Sequence, residues 1–245
     1  MEWPILFYVL LLVVSFLYAS VGHGGASGYI ALMSLFSFSP DVIRPAALVM
    51  NVFVSGLSFY HFNKEGYFRK DLFIPLAIAS IPAAFFGGML TVDATIYKAI
   101  LGLVLCFPIL TLSGLFNLKE REESINPTFI KLVFVGCLIG FFSGWIGIGG
   151  GILLSPLLLF FGWAKMKETA AVSALFIFVN SMAGILGQKL VGVQLDLNIG
   201  ILVGIVLIGG FAGSFLGATK WNKRILEKLL AFVLVIAVYK LIFTG

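Results

Sequence analysis

Residues 20–28 read S-V-G-H-G-G-A-S-G, and residues 144–152 read G-W-I-G-I-G-G-G-I. Both clusters lie inside long apolar stretches, and the first carries one of the chain's two histidines. Glycine costs a helix interior about 1 kcal/mol relative to alanine, so four glycines within residues 147–151 break a helix rather than pack one. The setting of these breaks is a lipid bilayer. The 245 residues are 60% hydrophobic and 11% charged, with a mean hydropathy of +1.11, whereas an average soluble domain carries about 25% charge. Apolar runs of about 20 residues, the length that crosses a membrane, recur throughout. The chain therefore reads as an all-α polytopic membrane protein. The run from Trp3 to Val21 has no basic residue before it, unlike a secretory signal, and is kept in the fold.

Sliding the sequence against itself by 125 residues aligns it without a gap. Gly22, Gly24 and Gly25 fall on Gly147, Gly149 and Gly150; Phe53-Val54 falls on Phe178-Val179, Asp71-Leu72 on Asp196-Leu197, Gly88 on Gly213 and Lys98 on Lys223. Chance Leu and Ile matches are common in apolar sequence, but a glycine cluster, an aspartate and a lysine in one register are not. The expected organisation is a first repeat over residues 1–116, a charged linker over 117–127 and a second repeat over 128–245, all in one membrane domain.

Each half holds five apolar segments, in the first half roughly 3–21, 26–37, 45–62, 72–91 and 94–116. The second segment, about 18 Å of helix, is too short for a hydrocarbon core of about 30 Å. Either it turns back to the side its partner came from, or the pair makes one broken crossing. Lys and Arg counts separate these layouts, because cytoplasmic loops are enriched in them. If the pair returns, the repeats are inverted. One side then collects Lys64, Arg69, Lys70, Lys119, Arg121, Lys131, Lys165, Lys167, Lys220, Lys223, Arg224 and Lys228, leaving only Arg44, Lys98, Lys189 and Lys240 opposite. If it crosses, the 16 basic residues divide evenly. The bias selects two inverted-topology repeats, each a Gly-broken helix hairpin plus three transmembrane helices. Both termini are then outside and the linker is cytoplasmic.

Non-helical backbone within a bilayer is tolerated only inside the protein or along a water-filled cavity, so the glycine turns must face inward. Each short helix begins just after its cluster, which points its free N–H groups and positive dipole end at the membrane centre. Two such ends facing one another suit an anion, and broken-helix termini commonly form midplane substrate sites in inverted-repeat transporters. The plainer use of glycine, close helix packing, is assigned to Gly136 with Gly140 and to Gly200 with Gly204.

The paired motifs V-G-H-G-G-A and I-G-I-G-G-G, the latter followed by Pro156, together with T-A-A-V-S-A-L-F-I-F-V-N-S at residues 169–181, resemble the TauE/SafE sulfite exporter family, also called TSUP transporters. The resemblance covers nearly the whole chain. It implies transport of sulfur-containing anions such as sulfite, sulfoacetate and related organosulfonates across the cell (inner) membrane. The first half departs from the commoner pattern at His23, at Ala31 opposite Pro156, and at Arg44-Pro45 opposite Thr169-Ala170, which bears on the substrate more than on the fold.

The candidate substrate-binding residues are Gly22, His23, Gly24, Gly25, Gly147, Gly149, Gly150, Gly151, Arg44, Asn51, Asn180 and Trp145. His23 aligns with Ile148 and breaks the symmetry at a hairpin tip, where it would donate to an anion or carry a proton; the duller reading is a bond to neighbouring backbone. Arg44, before Pro45 in the first turn of the third segment, either snorkels to the interface or clamps a sulfonate. Asn51 lies at i+7 from it, on the same face. Asn180 either ties helices together or lines a pathway, Trp145 is a wall, and Ser20, Ser27, Ser155 and Ser173 are weaker donors. His61 reads as interfacial, Asp71 and Asp196 as helix caps, Lys98 and Lys223 as anchors, and Cys106 and Cys137 as small apolar residues.

These readings lead to a secondary transporter working by alternating access, with an anion channel as the alternative. No nucleotide-binding G-x-x-x-x-G-K-S/T, H-E-x-x-H zinc motif or intramembrane carboxylate pair is present, so no cofactor, metal or catalytic residue is expected, and the +5 net charge is explained by loop bias rather than nucleic acid. Import or export, a proton or another coupling ion, and oligomeric state are left open by the sequence.

Overall fold

The computed structural model describes residues 4–90, 125–193 and 199–221. The segment at 94–116, most of the linker, Lys98, Cys106, Asp196 and Lys223 lie outside the described residues. The described elements are eight helices: α1 (Ile5–Ser20), α2 (Ala26–Leu35), α3 (Pro40–Lys64), α4 (Lys70–Gly88), α5 (Phe129–Ile146), α6 (Gly151–Phe160), α7 (Met166–Leu190) and α8 (Ile199–Thr219). Five of these, namely α3, α4, α5, α7 and α8, are long and apolar enough to span a membrane. The two stubs have 10 residues each, about 15 Å at helical rise. Large apolar side chains such as Ile5, Ile130, Phe134, Ile201, Ile208 and Phe211 are exposed, which in a multi-pass protein is the lipid-facing surface.

The halves interlock. α1 packs chiefly on α8, α4 on α5, and α3 on α7, so each half's first helix lies against the other half's fourth. Water-driven burial does not hold helices together in lipid; close approach of backbones does. Along α5, Gly136, Gly140 and Gly144 meet the backbone of Leu76, Ser80 and Ala84 on α4. Along α8, Gly209, Gly213 and Gly217 meet that of Leu12, Phe16 and Ser20 on α1. A methyl group at any of the six would overlap a carbonyl oxygen. The packing role expected of Gly136 and Gly140 is thus observed, whereas Gly200 and Gly204 have nothing within 4 Å. Gly204 and Gly209 are five residues apart, roughly 140° around the helix, so the two sets cannot share a face.

α3 and α7 cross antiparallel. Leu48 touches the position of Gly184, Asn51 bonds Ser181, and Gly56 faces Phe178, so residue numbers fall along α7 as they rise along α3. α3 starts at Pro40, five residues before the expected first turn, which places Pro45 inside the helix rather than at its start. Proline fits the first position because the N–H it lacks is unpaired there anyway, and Pro40 fills that role.

One end of the bundle gathers four separate stretches of chain. Arg69 donates to Asp71 and to Asn126 (3.3 Å), and lies 3.7 Å from Glu168. Asp71 thus pairs with its neighbour, and its bonds hold the Arg69 guanidinium above its usual pKa. Lys167 donates to the Tyr67 hydroxyl at 3.2 Å and to the Ala218 carbonyl at 3.0 Å, while Ile125 N–H bonds Gly162 at 2.7 Å. His61, expected at an interface, lies in the last turn of α3 and is buried within the protein. Its Nδ1 lies 2.8 Å from the Ser214 hydroxyl, which itself donates to Gly210, so the ring donates and ties α3 to α8.

Candidate functional site

Both helix breaks are built alike. α1 is followed by Gly22 at φ +78° and α5 by Gly147 at φ +89°, equivalent positions of the two halves. A left-handed residue there turns the chain so that following N–H groups close on the helix's last carbonyls. His23 N–H bonds Tyr18 at 2.9 Å and Ile148 N–H bonds Ser143 at 3.2 Å. A further left-handed glycine, Gly25 at φ +97° or Gly150 at φ +80°, precedes each stub helix, and the second loop adds a third at Gly149, φ +74°. Both loops are buried.

Asn51, buried on α3, joins the loops. Its Oδ1 accepts the N–H of Ala26, the first residue of α2, at 3.0 Å. Its Nδ2 donates to the Ile148 carbonyl at 3.3 Å and to Ser181 Oγ at 3.2 Å. Flipping the amide would set donor on donor and acceptor on acceptor, so this orientation is fixed by its partners. A Cβ at Gly24 would overlap Oδ1, and one at Gly149 would overlap Nδ2; both would also crowd the Ile177 methyl, at 3.0 and 2.9 Å. The space between the two tips is therefore filled by one carboxamide and one methyl group. The next N–H groups of α2, from Ser27 and Gly28, have no acceptor among the described residues.

His23 closes the arrangement from the other side. Its Nδ1 lies 3.1 Å from the Val21 carbonyl, the bond to neighbouring backbone that is the duller of the two readings. Arg44 donates to the Trp145 carbonyl at the end of α5 and reaches Leu90 at 3.4 Å, a cation placed where the helix dipole favours one. A Cβ added at Gly147 would lie 3.5 Å from the Arg44 Cβ. Arg44 and Asn51 thus act on one side of α3, as the i+7 spacing requires, and both engage the second loop.

Other candidates sit apart from this meeting point. Asn180 donates to Phe176 of its own helix at 2.8 Å, and its Oδ1 is buried with no partner. The Trp145 ring lies against Phe141 and Phe142, so only its carbonyl enters the site. Ser20 bonds Leu17, and Ser155 bonds Ser173. Ser27 donates to the Tyr18 hydroxyl at 3.0 Å. Tyr29 lays its phenol over Gly25, and its buried hydroxyl has no partner. The mirror positions of Tyr18, Ser27 and Tyr29 are Ser143, Ile152 and Leu154, so the hydroxyl-rich lining belongs to the first half. Sequence reasoning missed Ser181 and Ile177. Ser181 neighbours Asn180 in the same polar pair, and only the antiparallel crossing selects it.

The model of the family described as "Sulfite exporter TauE/SafE" matches residues 7–242. The "Probable membrane transporter protein y4hK" of Sinorhizobium fredii is 32% identical over 94% of this chain and 94% of its own. The "Probable membrane transporter protein YdhB" of Bacillus subtilis is 27% identical over 82% of this chain and 84% of its own. An Arabidopsis thaliana protein named "Sulfite exporter TauE/SafE family protein 6" is 35% identical over 34% of this chain and 21% of its own. No solved structure matches the chain significantly. Two glycine-broken helix pairs in an all-helical multi-pass chain, with this model matching residues 7–242, make the chain a member of the TauE/SafE sulfite exporter family of membrane transporters.

Proposed function

We propose that the chain is a secondary transporter of small sulfur-containing anions, sulfite or an organosulfonate such as sulfoacetate, bound between the two glycine loops and released alternately to either side. The observation that carries this reading is the convergence of two helix breaks, one from each half, on a single buried carboxamide. Left-handed glycines leave backbone donors at the start of each stub, and the dipole of each stub favours negative charge there. With the gap between the tips filled, this conformation is the occluded one.

A second set of contacts supports the inverted membrane layout of this reading. An inverted pair of repeats places the stretches around residues 64–70, 125–128, 161–168 and 218–221 on one side, and these are the stretches that bond to one another. A parallel pair would place Tyr67 and Lys167 on opposite sides, about 30 Å apart; they lie 3.2 Å apart. The antiparallel crossing of α3 and α7, equivalent helices of the two halves, supports the same layout. The basic end is the cytoplasmic one, and both termini and Gly192 lie outside the inner membrane. Residues 1–116 and 128–245 are the two repeats, joined by the cytoplasmic linker 117–127.

Counterflow in proteoliposomes tests the function. Labelled sulfite should enter faster when unlabelled sulfite is inside, and initial flux should saturate. Flux that is linear in concentration and insensitive to the opposite side would mark a channel instead. Absence of any flux or binding across sulfite, sulfate, thiosulfate and sulfoacetate would remove the substrate class.

A further inference from the structure

We propose that Asn51 is a built-in competitor of the transported anion: its carboxamide oxygen holds, on the Ala26 N–H, the place a substrate oxygen takes, and the side chain must swing away before the site fills. This rests on the anion-site reading above and adds a stated role for one residue within it.

The bond is that of a stand-in ligand. The Ala26 N–H is the first donor of α2, aimed out of the helix end, and Oδ1 meets it at 3.0 Å. The same amide covers the Ile148 carbonyl through Nδ2. That carbonyl lies at the tip of the second loop, where a bare acceptor would repel an anion. The crowding of Gly24 and Gly149 against Oδ1 and Nδ2 shows that these glycines make room for the amide itself. The device is single: the position equivalent to Asn51 in the second half is Phe176, so no mirror amide serves the other stub. Tyr29 adds an independent sign of a missing guest. Its buried hydroxyl lies over Gly25, at the start of the same stub, without a partner among the described residues.

The consequence is selectivity by displacement. A neutral amide makes an ordinary hydrogen bond, and an anion oxygen makes a charge-assisted one about twice as strong. Anions therefore displace Asn51, and neutral polar solutes exchange one ordinary bond for another with no gain.

Purified protein titrated with sodium sulfite, followed by thermal shift and by calorimetry, tests this. Asn51→Ala removes the competitor, so the apo protein should melt lower while sulfite binds about five-fold more tightly, the worth of one net neutral hydrogen bond. Asn51→Asp keeps an acceptor on Ala26 and adds a fixed negative charge, so it should fold and show no sulfite-induced shift at concentrations that saturate the wild type. If Asn51→Ala does not fold, Asn51→Ser, too short to reach the Ala26 N–H, replaces it with the same expectation. Sulfite binding unchanged or weakened in the Ala or Ser variant, or retained in Asn51→Asp, overturns the proposal while leaving the anion site standing. A wild type that binds no anion of the sulfite, sulfate, thiosulfate and sulfoacetate panel overturns both.

Discussion

Replacing Gly149 by alanine should damage the protein in two separable ways. The residue sits at φ +74°, where a side chain costs about 1–2 kcal/mol. Its new methyl would also overlap Asn51 Nδ2 and come within 2.8 Å of Ser181 Oγ and 2.9 Å of the Ile177 methyl. Pushing the amide aside strips Ala26 N–H and Ile148 C=O of their partners, and a buried group left unpaired costs about 1–3 kcal/mol. The sum is about 3–8 kcal/mol. Gly66→Ala is the matched control, since Gly66 has φ +80° and nothing within 4 Å; it should cost only the backbone share, about 1–2 kcal/mol. Unfolding titrated with SDS in mixed micelles would measure both, with Asn51→Ala combined with each. In the Asn51→Ala background the cost of Gly149→Ala should fall by about 2 kcal/mol or more, because the group it collides with is gone. Equal costs for Gly149→Ala and Gly66→Ala, or the same cost in both backgrounds, would refute the reasoning.

Bulkier residues at Gly24 or Gly149 should abolish sulfite flux while the protein still inserts, as read by membrane fractionation beside proteoliposome uptake. His23→Ala should weaken sulfite binding in a calorimetric titration, since it removes the buried imidazole from the tip of the first loop. Gly213→Leu should lose most folded protein in size-exclusion profiles, because its side chain meets the Phe16 carbonyl, whereas Gly200→Leu should elute as wild type, having open space around it. For the layout, single cysteines at Gly66 and Gly192, both in open space, report sides in a chain whose native cysteines are replaced. An impermeant maleimide applied to intact cells should label position 192 and spare position 66, and the reverse pattern would invert the orientation.

The parts of the fold legible in the sequence were those set by backbone chemistry and solvent. Glycine clusters in apolar runs announced both breaks, because no other residue turns so cheaply through left-handed geometry, and the 125-residue self-match located each break's counterpart. Side-chain traffic was harder to read. Arg44 and Asn51 were placed on one face by helical spacing alone, yet nothing local indicated that Asn51 would reach both loops. Ser181 and Ile177 enter only because α7 crosses α3 antiparallel, which is a long-range fact. Gly200 and Gly209 look equally suited to packing in one dimension; the choice between them belongs to α1, almost two hundred residues away.

The pairing of α1 with α8 imposes a timetable on biogenesis. The groove on α1 around Ser15 is completed only when Gly209 has been made, and at about 5–20 residues per second the ribosome takes roughly 10–40 s to get there. During that interval the first helix pair must wait in lipid with its glycine loop unshielded, or be escorted by insertion machinery. A severed first half would meet the same vacancy permanently, and the surface it lacks is one that another copy of the fourth helix could supply.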